Sequence, residues 1–428
     1  MKLELIHPAR QIVMTMDRIY GYGMTTTSGG NLSIREDNGD LWITPAGVDK
    51  GSLTPDDIMH VSASGAVTGP HRPSVELPFH QWIYQRRPEL GAIVHAHPPA
   101  LVAFSLVRKI PDTSLIPNMH QVCGEVGMAE YGLPGSADLG EKIARVFERG
   151  CNAVILENHG AVVGAQDLFH AFMSFETLDF CARLEIDARR IGTPTGLTQR
   201  DIQLSAQKQA VRLDEFTPSG HSSRERHARQ EMVTLIRRAC DQKLFTSTQG
   251  TFSQRLEGDS FLITPYLVDR KHLEVGDLVR IDKGKREAGK MPSRSVGLHR
   301  EIYAQQPHVR SVIIAHPPSI MAFAVTGERF DSRTIPECYV MLRNVPKLPF
   351  GATFLEPART AAVFVPGTPL ALVQNDCVVV TGNSLIQAFD RLEVAEYSAR
   401  ALVACRSLGE VVRIDPAQVA EIEKAFGA

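Results

Sequence analysis

The chain has no CxxC pair, no regular cysteine spacing and only seven cysteines in 428 residues, which excludes a disulfide framework. Cys123, Cys151, Cys181, Cys240, Cys338, Cys377 and Cys405 stand singly, several inside apolar runs. They read as reduced core thiols of a cytosolic protein. No apolar run approaches 18 residues, so no membrane span is expected. The opening MKLELIHPARQIVMTMDRIY carries charges throughout and lacks the apolar stretch of a signal peptide. An excess of one charge is missing too: 46 Lys and Arg against 48 Asp and Glu give a net charge of −2. No global field therefore draws the chain to nucleic acid or to an anionic membrane. What remains is a cytoplasmic protein of ordinary composition, long for one domain and comfortable for two.

What is present in abundance is self-similarity. Ala9-Arg10-Gln11 recurs as Ala228-Arg229-Gln230, and Ile43-Thr44-Pro45 with Asp49 recurs as Ile263-Thr264-Pro265 with Asp269. His80, Tyr84 and His97-Pro98-Pro99 recur as His299, Tyr303 and His316-Pro317-Pro318. Asn158 to Phe172 recurs as Asn375 to Phe389. The register is nearly constant over all these segments, so the chain reads as two copies of one fold. The expected division is 1–195 for the first copy, a polar linker over 196–221 and 222–428 for the second copy.

Within the first copy, apolar residues Ile12, Val13, Met16, Ile19 and Tyr20 predict an amphipathic helix over 9–20. Short strands are expected at 32–35, 41–43, 91–97 and 152–156, with helices over 78–86 and 166–190. The alternation predicts an α/β fold, each copy a central β-sheet covered by helices.

Ile93-Val94-His95-Ala96-His97 is an apolar strand with imidazoles at i and i+2, which places both rings on one face. Pro98-Pro99 ends that strand at once. A second strand closes on Asn158-His159-Gly160, where Gly160 is expected to let the chain turn and present His159. Three histidines with an open fourth position make a catalytic divalent-metal set, since a structural site would be closed. Glu76, in Pro73-Ser74-Val75-Glu76-Leu77-Pro78, reads by spacing alone as a carboxylate at a helix start. Lys50, in Val48-Asp49-Lys50-Gly51, reads as a solvated turn lysine.

In this order, Ser28-Gly29-Gly30-Asn31-Leu32-Ser33, Ile43-Thr44-Pro45-Ala46-Gly47, Pro73-Ser74-Val75-Glu76, His95-Ala96-His97 and Asn158-His159-Gly160 resemble the class II aldolase/adducin family of metal-dependent sugar-phosphate aldolases. The resemblance covers about residues 8–185. It implies that His95, His97 and His159 hold Zn2+ or a similar ion (Mn2+, Co2+ or Fe2+) and that Glu76 shuttles a proton. It also implies that Tyr131 acts as a proton donor at a neighbouring subunit's site, and that Gly30, Asn31, Gly47 and Ser74 cradle a substrate anion. Ala46 and Val75 stand where many relatives carry hydroxyls. Each missing charge-assisted contact removes on the order of 1.5–3 kcal/mol from phosphate binding, so a carboxylate or an uncharged polyol end competes with phosphate.

The activity implied is a carbon–carbon lyase cleaving a small ketose (phosphate) or hydroxy-oxo acid through an enediolate held by the ion. Epimerisation, dehydration and 3-oxo-acid decarboxylation share that logic. A non-catalytic adducin-like interaction module and a mononuclear iron oxygenase are readings of other classes. The second copy keeps only His316 of the set: Ile314, Asp376, Ser295 and Phe350 stand where the first copy has His95, His159, Glu76 and Tyr131. A degenerate copy of this kind implies a homodimer forming a pseudo-tetramer of four folds with two working sites. Its partners are small sugars or sugar acids, with no nucleic acid and no membrane.

Overall fold

A computed structural model of the chain describes residues 5–208 and 211–426; Met1 to Glu4, Gln209 and Ala210 of the expected linker, Gly427 and Ala428 lie outside the described residues. The chain divides into two compact units, one holding residues to Thr113 and Asn118–Arg183, the other Ser114–Pro117 and Leu184 onward. No helix among the described residues is long and apolar enough to cross a membrane. Six of the seven cysteines are buried and Cys405 is half-buried.

The first unit begins with α1 (Pro8–Gly21), whose Ile12, Met16 and Ile19 are buried as the helical spacing requires. Its sheet contains β1 (Asn31–Arg35), β2 (Leu41–Ile43), β3 (Met59–Val61), β4 (Val67–Thr68), β5 (Ala92–Ala96), β6 (Val126–Ala129), β7 (Ala153–Leu156) and β8 (Ala161–Ala165). They lie in the order β4-β3-β2-β1-β5-β8-β7-β6. Only β6 and β7 pair in parallel; the other neighbours are antiparallel. Helices α2 (Leu77–Arg86), α3 (Pro99–Leu106) and α5 (Ala137–Glu148) pack on the sheet; α4 (Pro117–Cys123) and α6 (Leu168–Ile191) follow α3 and β8 in the chain. The core under α2 and α5 joins Phe79, Ile83, Ile143 and Phe147 to Ile43, Ile93, Val154 and Val162 of the sheet.

The second unit repeats the plan. After α7 (Gln199–Ala206) and β9 (Glu215–Phe216) come α8 (Ser223–Asp241), β10 (Thr251–Arg255), β11 (Phe261–Ile263), β12 (Val279–Asp282) and β13 (Lys285–Glu287). There follow α9 (Val296–Gln305), β14 (Ser311–Ala315), α10 (Pro318–Ala324), α11 (Pro336–Leu342), β15 (Lys347–Leu348), α12 (Ala352–Leu355) and α13 (Pro357–Ala361). The chain closes with β16 (Leu370–Val373), β17 (Cys377–Gly382), α14 (Leu385–Cys405) and α15 (Pro416–Phe426). The registers of the two sheets coincide: Asn31 faces His95 across β1 and β5, and Thr251 faces Ile314 across β10 and β14.

The segment expected as a polar linker contains a short helix and a short strand. Thr198 and Asp201 form a capping box that starts α7. Further on, β9 adds to the second sheet in parallel with β13. Lys50 departs from the solvated reading. It is 2% exposed and donates to the carbonyls of Pro45 at 2.7 Å and Val48 at 3.1 Å. Burial lowers its pKa, and its task is to tie the loop after β2. Arg270 does the same in the second unit, buried and bonded to the carbonyls of Gly250 and Val268.

Candidate metal centre

Two neighbouring strands and one turn converge to build the site. His95 and His97 project from the end of β5 on the same face, with ring centroids 4.7 Å apart. The β7–β8 turn carries His159, whose ring centroid lies 4.9 Å from each of the other two. The residue that turns the chain is Asn158, in the left-handed region at φ 55°, a conformation asparagine tolerates better than most. Gly160 serves a different need from the expected one. A Cβ there would lie 2.5 Å from the Ala96 carbonyl oxygen and 2.6 Å from the His97 ring. The position requires close approach to β5. Gly30 has both requirements, φ +72° and a Cβ position 2.8 Å from the His95 carbonyl.

One nitrogen from each ring lies within 4.8 Å of those of the other two. His95 Nδ1 donates to the Ala161 carbonyl at 3.0 Å, which leaves the lone pair on Nε2. That lone pair faces His97 Nε2 at 3.1 Å. Two imidazole nitrogens this close need a shared proton or a cation between them. A tetrahedral ion with nitrogen ligands at 2.0–2.1 Å separates them by roughly 3.3 Å, so the spacing fits one. Burial lowers the pKa of His97 to about 3 and of His159 to about 4. Both rings are therefore neutral lone-pair donors at ordinary pH. His159 Nδ1 is buried without a hydrogen-bond partner among the described residues.

Glu76 is the residue immediately before α2, as its spacing suggests, but its side chain does not cap the helix. It turns into the site instead. Oε2 accepts from Asn31 Nδ2 at 2.7 Å and lies 3.3 Å from His95 Nε2. Oε1 lies 3.7 Å from His159 Nε2 and is buried without a hydrogen-bond partner among the described residues. Burial opposes the charge of Glu76, and the hydrogen bond from Asn31 favours it.

Behind Glu76 runs a buried chain of polar groups that sequence reasoning did not assemble. Asn31 Oδ1 meets His80 Nε2 at 2.5 Å. His80 Nδ1 meets the Ser33 hydroxyl at 2.7 Å, and that hydroxyl meets Tyr84 at 2.8 Å. The signal was available in the placement of His80 four residues after Glu76 and Tyr84 four residues after His80, one helix face. The second unit keeps the inner part: Ser253 contacts His299 at 2.6 Å and Tyr303 at 2.7 Å. With Thr251 in place of Asn31, His299 Nε2 is buried without a partner among the described residues.

The structure thus brings together His95, His97, His159, Glu76, Asn31 and Ser74. Ser74 accepts from the Glu76 amide at 3.2 Å. Gly30 backs His95. Gly47 follows the Pro45–Pro73 bridge that sets the segment after β2 beside the one before Glu76. Tyr131 is not gathered in. It is 54% exposed on a loop fixed through its backbone by Glu157 and Lys142.

The sequence matches the model of the class II aldolase and adducin N-terminal domain twice, over residues 10–186 and 230–403. It is 37% identical over 166 residues to the 3-oxo-tetronate 4-phosphate decarboxylase of Pectobacterium atrosepticum, covering 38% of this chain and 76% of that one. It is 34% identical over 169 residues to the L-fuculose phosphate aldolase of Methanococcus maripaludis, covering 39% and 88%. A 5-deoxy-D-ribulose 1-phosphate aldolase of Bacillus thuringiensis matches at 29% over 210 residues, covering 46% and 93%. Two sheets in one register, each under a match to the same family model, leave one conclusion: the chain belongs to the class II aldolase/adducin family, as a tandem duplication whose second copy is degenerate.

Proposed function

We propose that the first copy is a divalent-metal-dependent carbon–carbon lyase of the aldolase type, acting on a small phosphorylated ketose or hydroxy-oxo acid. The observation that carries this reading is the triangle of imidazole nitrogens beside a carboxylate with one unpartnered oxygen. His95, His97 and His159 would hold the ion, Zn2+ in the first instance, with Mn2+, Co2+ or Fe2+ compatible with the same donors. When bound, it would supply Lewis acidity at the substrate's carbonyl oxygen. Asn31 holds Glu76 Oε2 and leaves Oε1 for the proton. In cleavage, Oε1 takes the proton of the substrate hydroxyl as the carbon–carbon bond breaks and the aldehyde forms. It then returns that proton to the carbon that kept the electron pair, and the count closes without solvent. Tyr131 would act as proton donor across a subunit boundary only by relaying that same proton, giving its own to the carbon and taking the one on Oε1. Gly30, Asn31, Gly47 and Ser74 would line the substrate's anionic end, Asn31 through its backbone, since its amide is engaged.

A second reading is favoured by the decarboxylase relatives. In decarboxylation of a 3-oxo acid CO2 leaves in place of an aldehyde, and the proton added to carbon comes from solvent. The reading further includes cytoplasmic residence, a homodimer as pseudo-tetramer, small-molecule partners only, and the division 1–195, 196–221 and 222–428. Incubating metal-loaded enzyme with ketose phosphates and phosphorylated 3-oxo acids, with assay of aldehyde and CO2, separates the two reactions. Release of neither product by enzyme carrying one ion per chain would sink both.

A further inference from the structure

The second unit holds a cavity of about 300 Å³, at the small end of the range for ligand pockets, roughly 300–1,000 Å³. It lies where the first copy has its proton carrier, since Ser295, the counterpart of Glu76, is on its wall. One side comes from the segment with α7, through Leu204, Gln207 and Lys208; the other includes Arg294, Ser295 and Thr353. Among the described residues its lining contains two cations and no carboxylate.

Lys208 and Arg294 are both half-buried, and neither has an ion-pair partner among the described residues. Lys208 Nζ stands 5.1 Å from the Phe354 ring centroid and the Arg294 guanidinium 5.3 Å from that of Tyr266. Those rings attract cations but cancel no charge. Arg294-Ser295 replaces Val75-Glu76, which changes that corner from one negative charge to one positive. Hydroxyl donors are at hand. Thr251, Ser293 and Ser295 close a ring of contacts at 2.7, 3.0 and 3.2 Å. The longest is the donation from Ser295 to Thr251, so the Ser295 hydroxyl turns to a ligand at the least cost.

We propose that this cavity binds a small phosphate-bearing anion between Lys208 and Arg294, with Ser295 as an added donor. The site is non-catalytic, because its counterparts of Glu76 and of two histidines are Ser295, Ile314 and Asp376. Two cations match a phosphate dianion better than a single carboxylate. Occupancy draws the segment with α7 against the second copy, because that segment supplies one of the cations.

The test is hydrogen–deuterium exchange on the full chain, titrated with inorganic phosphate at constant ionic strength in chloride. Expected is saturable slowing in peptides covering 199–208 and 293–298. Arg294→Met and Lys208→Met weaken it by about tenfold or more, the loss of one charge-assisted contact, whereas Arg294→Lys retains most of it. Unaltered exchange in β10 and β14 shows that the variants are folded. Slowing confined to the first copy, slowing indifferent to Arg294→Met, or equal slowing with acetate overturns the proposal.

Discussion

Glu76 offers two oxygens with different surroundings, and the difference divides their work. Oε2 is occupied by Asn31, whereas Oε1 has no donor among the described residues. Glu76→Gln should leave the ion content unchanged while lowering kcat by about 10²–10⁴, the usual range for a general acid–base group; elemental analysis beside steady-state kinetics reads both. His97→Ala should do the reverse and empty the site, so that about one ion per chain falls to none. Two ions per chain in the wild type would overturn the silence of the second copy. The histidines were legible because period-two alternation and a strand end fix where rings point. Glu76 was legible only through the family pattern, since the same spacing suits a helix-start carboxylate. The chain from Asn31 through His80 to Tyr84 stayed hidden because its members alternate between two elements, β1 and α2, whose pairing no local pattern encodes.

At the scale of elements, the β7–β8 hairpin is the most exacting piece. Gly160→Ala would press a methyl group onto the Ala96 carbonyl, a backbone atom that cannot yield as a side-chain tip can. A loss of about 1–3 kcal/mol is expected, together with weaker ion binding through displaced His159. Asn158→Gly should cost little, because glycine adopts the same left-handed φ freely. Urea unfolding followed by tryptophan emission measures both, since Trp42 and Trp82 are the only tryptophans and both lie in the first unit. Most of the expected elements appear within one or two residues of their reading: β2 coincides, and α2 and α6 differ at their ends. Helical and strand periodicity is a local property and so survives in sequence. Strand direction is not. β5 is flanked by antiparallel partners, which the α/β alternation leaves open, and its end is chosen by the hairpin beside it.

For the molecule as a whole, a buried carboxyl in the second unit makes stability depend on pH. Glu396 accepts from the amides of Ser319 at 3.2 Å and Ile320 at 2.9 Å, yet burial raises its pKa to about 7 against an ordinary 4.5. The folded carboxyl therefore keeps a proton that the unfolded one loses between pH 4.5 and 7. Its contribution is full below pH 4.5 and falls by on the order of 3 kcal/mol as pH rises to 7. His299 and His316, whose pKa values burial lowers to about 3 and about 4, pull the other way below pH 6.5. The clean measurement is thus the stability difference between wild type and Glu396→Gln, by tyrosine emission at pH 5 and pH 7.5. A difference that does not change with pH would refute the assignment.

The clasp of Ser253, His299 and Tyr303 stands in the second copy without the chemistry it backs in the first. The two copies differ at the rim and agree at the foundation, which also holds the fold. That half is therefore a dormant template. Thr251→Asn would give His299 back a neighbour, and Ser295→Glu, Ile314→His and Asp376→His would rewrite the rim on a frame still in register. For an engineer, the first copy's whole ligand set lies four codons away in the second.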